Sequence, residues 1–131
     1  MEDRNRELTF SPCWLSLSFL IRASRFDVII KPLSQYADER GWLIELYRED
    51  ELPETVHPVM AYICQTLPGI IRGPHEHHDQ TDYFAFVGPS DFELTLWDAR
   101  EESPTFGVKI QTIYGVSNPC AITIPPGAVS Y

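Results

Sequence analysis

Three of the four histidines in this chain fall within four positions, in the stretch IIRGPHEHHDQTDYFAFVG that spans residues 70–88. Imidazole changes charge near neutral pH and also ligates metals, so such a cluster can move a proton or hold an ion. If the chain is extended from Pro74 onward, His75 and His77 point to one face while Glu76 and His78 point to the other. In a small barrel the inward face can line a ligand cavity. Two imidazoles converging there would serve as two metal ligands, or as a base with an auxiliary donor. The competing reading is a surface strand whose histidines are simply solvated. Three neighbouring features weigh against it: Arg72 just upstream, a Gly73-Pro74 break that redirects the chain, and the apolar run DYFAFV that follows. A guanidinium beside the histidines can also grip an anionic group through two parallel hydrogen bonds.

The elements that must position these residues read as an all-β fold. From Asp27 onward, short apolar runs alternate with Pro, Gly, Asn and Asp, and nothing sustains a helical period. The runs DVII, WLIELY, VMAYICQ, DYFAFV, DFELTLWD, VKIQTIY and CAITI are the predicted strands. DFELTLW alternates cleanly, with Phe92, Leu94 and Leu96 on one face and Asp91, Glu93 and Thr95 on the other. The short GPS link between DYFAFV and DFELTLWD predicts a hairpin. Many short strands with frequent turns predict a sandwich or a barrel of antiparallel strands, a class whose small members include jelly-roll barrels and cupins. Residues 1–25 read as an extra leading segment, either an added strand or helix or the result of a misassigned start codon, and residues 26–131 read as one domain.

Length and composition narrow the function classes. The 131 residues suit one domain with a single core. A content of 44% hydrophobic and 22% charged residues is that of a globular protein rather than a disordered one. The net charge of −9 argues against a nucleic-acid partner, while a few pocket arginines can still attract a small anion. The apolar run CWLSLSFLI, residues 13–21, is too short to span a bilayer, and the acidic and basic residues before it do not resemble a signal peptide, so no membrane partner is expected. Cys13, Cys64 and Cys120 are odd in number and widely spaced, which suits reduced structural thiols in a cytoplasmic protein.

HEHHDQTDYFAFVG also resembles the first cupin motif, with His75, His77, Asp82 in place of the usual Glu, and Gly88. PPGAVS resembles the end of the second motif, except that Ser130 stands where that motif has a histidine. More specifically, four stretches together resemble the dTDP-4-dehydrorhamnose 3,5-epimerase family: YADERGWLIELYRED (36–50), IIRGPHEH (70–77), LWDAREESPTFG (96–107) and ITIPPGAVSY (122–131). The resemblance implies His75 as the base that removes a proton beside a sugar ketone, with His77 as a second catalytic histidine. It implies Arg72 on the diphosphate, Arg40 and Glu45 on the nucleotide, and Gln65 on the sugar. Tyr83 falls, counting back from Asp98, where the family carries a lysine. A dTDP-sugar ligand, a homodimer in which the Arg40 segment reaches the partner's pocket, and no cofactor or metal are also implied.

Several alternatives stay open. A metal-binding cupin would use His75, His77 and Asp82 as a 2-His-1-carboxylate set. Sugar 3,4-ketoisomerases carry R-G-x-H-A-H where this chain has RGPHEH, and there the two histidines would shuttle a proton on one face. A binder that kept the pocket without the chemistry is the third. The family's opposite-face tyrosine and the aspartate that orients its base have no counterpart in these 131 residues. Taken locally, Arg40 can be a turn residue paired with Asp38, Glu45 can face water, and Asp98 with Arg100 reads as a structural ion pair.

Overall fold

The computed structural model describes residues 26–54 and 56–131; the expectations for the leading segment, including Cys13 and the run 13–21, lie outside the described residues. What it describes is an antiparallel, nearly all-strand cupin-type fold, as the punctuation of the sequence predicts. The strands are β1 (Ile29–Pro32), β2 (Gln35–Asp38), β3 (Gly41–Ile44), β4 (His75–Glu76), β5 (Asp82–Phe86), β6 (Asp91–Asp98), β7 (Lys109–Gly115), β8 (Cys120–Ile124) and β9 (Ala128–Ser130). They form a three-stranded sheet in the order β1-β8-β5, a four-stranded sheet in the order β4-β9-β6-β7, and a separate β2-β3 hairpin. Among the described residues no helix is long and apolar enough to cross a membrane.

Alternation decides which side chains meet between the two larger sheets. Leu94 and Leu96 are 6% and 2% exposed and pack with Val28, Ile122, Ile124, Tyr114 and Ala128. Phe92, on the same face of β6, meets Phe86 at a ring separation of 5.7 Å. Paired residues of neighbouring strands lie on the same side of a sheet. Hence Phe84, opposite Ile122, faces this core, whereas Tyr83, opposite Thr123, faces away from it. Strand β8 is central in its sheet, and all five of its residues are buried. Its inner side chains enter the core, while Ala121 and Thr123 lie beneath the segment around the 3-10 turn Glu49–Glu51, lining one small cleft with Tyr47, Leu52 and Pro53.

Two strand expectations differ from the fold. VMAYICQ, residues 59–65, has strand composition but pairs with nothing in the described chain, and Val59 and Ile63 are each 98% exposed. β propensity expresses fit to a pleated neighbour, and here no neighbour is offered within one chain. The GPS link joins no hairpin either. β5 pairs with β8 whereas β6 pairs with β7 and β9, so the chain crosses there from one sheet to the other. The crossing is pinned by Asp91, whose carboxylate accepts the Ser117 amide at 2.9 Å and hydroxyl at 2.8 Å.

The sheets are locked at one end by Asp98, whose side chain is completely buried. Its carboxylate accepts the Arg100 amide at 3.0 Å, the Arg100 guanidinium at 2.8 and 2.9 Å, Ser103 Oγ at 2.6 Å and Thr105 Oγ1 at 2.7 Å. Arg100 then donates to Asp27 Oδ2 at 2.9 Å and to the Phe26 carbonyl at 3.2 Å, tying the approach to β1 to the corner after β6. The structural ion pair read from WDAR is therefore present, within a larger network.

The guanidinium and these hydroxyl donors hold the Asp98 carboxyl well below its ordinary pKa, outweighing the desolvation that opposes ionisation. Because the folded-state value is depressed, this stability is present above the unfolded-state pKa and is lost as the pH falls toward the folded one. Asp98→Asn, which removes the buried carboxylate and leaves the part-exposed Arg100 with Asp27 as its ion-pair partner, should cost roughly 1.5–3 kcal/mol at neutral pH. The gap between wild type and variant in urea midpoints should narrow as the pH drops below about 4. A gap that stayed constant or widened on acidification would count against this account of the network.

Candidate functional site

The histidine-bearing strand is short and lies at a sheet edge. His75 pairs with Ser130 and Glu76 with Val129, and Ser130 in turn pairs with Leu96. Since Leu96 is core, His75 and Ser130 share the inner face of the four-stranded sheet. Just past the ladder, the Gly127 amide donates to the His77 carbonyl at 2.8 Å, and the His77 ring approaches Asp82 of the other sheet. Glycine at position 73 makes this approach possible. Its φ is +111°, and a Cβ there would lie 2.7 Å from the Ser130 carbonyl and 2.9 Å from Tyr131 Cβ.

The opposite side of the same rim comes from the other sheet. Asp82 begins β5, pairs with Ile124 at the end of β8, and has only 17% of its side chain exposed. Its Oδ2 lies 3.4 Å from His77 Nε2, and its Oδ1 accepts a 2.8 Å hydrogen bond from Gln80 Nε2. The turn Pro125-Pro126-Gly127 joins the strand opposite Asp82 to the residue bonded to His77. One turn thus brings the two side chains together from different sheets.

The metal alternative fares differently. Among the described residues no group of three His, Cys, Asp or Glu side chains is gathered as metal ligands. Asp82 approaches His77 alone, so His75, His77 and Asp82 do not form the 2-His-1-carboxylate set.

Tyr83 counts to the family's lysine position, and it stands on the face of β5 that turns away from the inner core. Its hydroxyl donates to the Leu46 carbonyl at 2.7 Å and its ring meets Tyr47 edge-on at 6.3 Å. Burial, with a smaller effect from the Glu51 carboxylate, raises the phenol's pKa and keeps it a donor there. The residue of β5 that does face the histidine rim is Asp82.

The anion-binding candidates lie on exposed segments. Arg72 Nε donates to Thr66 Oγ1 at 2.8 Å and its Nη2 to the Gln65 carbonyl at 2.7 Å, so Arg72 and Gln65 are neighbours. Arg40, in the β2-β3 turn, donates to Asp38 through its backbone amide at 2.8 Å and its Nε at 3.0 Å, with a further contact from Nη2. That is the local pairing the DERG sequence allowed. Glu45 follows β3 and lines a surface groove with Tyr36, Tyr47 and Arg48. No hydrogen bond joins Arg40, Glu45 or Arg72 to the histidine rim among the described residues. Cys64 and Cys120 are unpaired, and burial pushes the Cys120 thiol up to about 12, which makes it a packing residue.

The fold and the rim are those of a cupin, two facing antiparallel sheets with histidines at the mouth. Residues 26–130 match the sequence profile of the dTDP-4-dehydrorhamnose 3,5-epimerase family, and the chain belongs to that family. It is 37% identical over 101 residues to a probable low-salt glycan biosynthesis epimerase of Haloferax volcanii, the match covering 76% of this chain and 64% of that protein. It is 36% identical over 101 residues to a spore coat polysaccharide biosynthesis protein of Bacillus subtilis, covering 76% of this chain and 65% of that protein. The crystal structure of the dTDP-4-dehydrorhamnose 3,5-epimerase of Elizabethkingia anophelis superposes with a TM-score of 0.62 at 27% identity, covering 79% of this chain and 60% of that one. The chain thus spans less than two thirds of the length of these relatives.

The rim depends on close approach at position 73. Gly73→Ala must force apart β4 and β9, and should destabilise the fold by about 1–3 kcal/mol. Urea unfolding measures this, and the His75 amide should lose hydrogen-exchange protection more than amides of β6 and β7 do. An unchanged midpoint would mean that β4 does not need its present spacing.

Proposed function

We propose that this protein acts on a thymidine-diphosphate 4-keto-6-deoxyhexose by removing a proton from a carbon beside the ketone, with His75 as the base. The observation that carries this reading is the place of His75, opposite Ser130 on the inner face of its sheet, at the mouth of a cupin that belongs to this epimerase family. A carbon next to a carbonyl is acidic enough for a neutral imidazole to deprotonate when the resulting enolate oxygen is held by a donor. Arg72 binds the diphosphate, Gln65 meets the sugar, and Arg40 and Glu45 serve the nucleotide end. The neighbouring subunit supplies part of that end in a homodimer. Supporting the dimer, the β2-β3 hairpin leaves Tyr36, Trp42 and Leu43 exposed, and a two-stranded sheet is marginal by itself.

A second reading has its own support. His75 and His77 stand two residues apart at one rim, and proton transfer between adjacent carbons on one face of a sugar is 3,4-ketoisomerisation, which needs no acid opposite.

Incubation with dTDP-4-keto-6-deoxyglucose in heavy water, followed by NMR of the sugar protons, tests both readings. Exchange abolished by His75→Ala and without keto migration is the expected result. Migration of the ketone to the third carbon would instead establish the isomerase. Binding without exchange would remove His75 as a base. The same sugar nucleotide should raise the melting temperature by linkage, and Arg72→Ala should remove most of that rise while the free protein melts nearly as before. Light scattering at micromolar concentration should give twice the 15.0 kDa chain mass, and a clean monomer would refute the dimer.

A further inference from the structure

We infer that Asp82 is a positioning residue, holding His77 with Nε2 toward its carboxylate so that Nδ1 accepts a hydrogen bond from a ligand hydroxyl beside the ketone. The inference deepens the proposed function and rests on it for the identity of the ligand. It adds a specificity, since the site would prefer a sugar with a free hydroxyl adjacent to its carbonyl.

The geometry is directional. Of the two imidazole nitrogens, Nε2 is the one 3.4 Å from Asp82 Oδ2, within ion-pair distance but longer than a good hydrogen bond. A nitrogen lone pair facing a carboxylate oxygen is repelled, while an N–H there is attracted, so the neutral ring carries its proton on Nε2. That leaves the Nδ1 lone pair free, and Nδ1 makes no hydrogen bond among the described residues. The side chain is 43% exposed, so this acceptor is accessible.

Both partners are themselves fixed. Gln80 donates to the other carboxylate oxygen of Asp82 at 2.8 Å, and β5 pairing with β8 holds its backbone. The Gly127 amide holds the His77 carbonyl at 2.8 Å. A 4-keto-6-deoxyhexose presents one hydroxyl donor next to its carbonyl, on the third carbon, and an acceptor two residues from His75 at the same rim suits it. A nucleoside diphosphate without the sugar offers this acceptor nothing. The sugar nucleotide and the bare diphosphate should therefore respond differently to changes at position 82.

Two measurements on the full chain test this. In ligand-free protein, two-bond 15N–1H spectra of the imidazoles, with His77 assigned through His77→Gln, should show the proton on Nε2. Asp82→Asn, whose amide can donate to Nε2, should shift the ring toward the Nδ1–H form, and Asp82→Glu should not. A wild-type His77 protonated on Nδ1 overturns the inference whatever the protein binds. By calorimetry, Asp82→Asn and His77→Gln should each weaken dTDP-4-keto-6-deoxyglucose about tenfold, the loss of one hydrogen bond. Binding of dTDP should be unchanged, and the double variant should be no weaker than His77→Gln alone. Losses that multiply, or that fall equally on dTDP, would overturn it. Wild-type protein that binds neither compound would sink the proposed function instead, and the tautomer spectra would still decide the role of Asp82.

Discussion

A carboxylate with no solvent exposure has to be surrounded by donors, and Asp98 meets that demand by drawing in Arg100, Ser103 and Thr105. The consequence reaches well beyond the ion pair. Arg100, fixed by Asp98, packs its aliphatic stem directly against Gly127, where any Cβ would collide with it. Gly127, whose φ is +77°, closes the turn that ends β8 and starts β9. That turn places Ile124 opposite Asp82 and sends the Gly127 amide to His77. The histidine rim thus hangs from a buried acid on a different strand. Asp98, which touches none of the candidate ligand-binding residues, governs where two of them sit.

Much of this architecture was legible because it follows from alternation and from punctuation. DFELTLWD announces its faces residue by residue, and Phe92, Leu94 and Leu96 turn inward accordingly. CAITI does not alternate, and it becomes a strand covered on both sides. What stayed hidden was pairing, since a sequence gives faces but not partners. GPS has the length and residues of a hairpin link, yet the strands it joins belong to different sheets. The run 59–65 has the composition of a strand and finds no partner within the chain. Another member of the Asp98 network, Asp27, lies 73 positions from Arg100, and no local signal could have linked them.

The site was legible to the same depth. Period-two reasoning expects His75 and His77 on one face; His75 pairs with Ser130 on the inner side of its sheet, and His77 follows just past the ladder beside Asp82. Tyr83 shows how position along a strand and face of the sheet can part company. Counting residues from Asp98 finds a position along the strand, but a shift of one residue exchanges the two faces of a sheet. Asp82 and Tyr83 are adjacent, and only one of them can look at the histidines. Parity against Phe84, an inward residue in the middle of DYFAFV, would have indicated Asp82 before any coordinates were known.

The two halves of the candidate site also differ in what holds them. His75, His77 and Asp82 are attached to paired strands, so their spacing is a property of the sheets and resists local change. Arg72 and Gln65 brace each other on an exposed stretch where Met60, Tyr62 and Ile71 face solvent, and Arg40 is held by Asp38 in a lone hairpin. Exposed segments of this kind order at low free-energy cost only when something packs on them. Affinity for an anionic ligand is therefore the property most sensitive to what covers these segments. The disposition of the two histidines is built into the folded chain itself. The paired-strand half of the candidate site keeps its spacing whatever covers the exposed half.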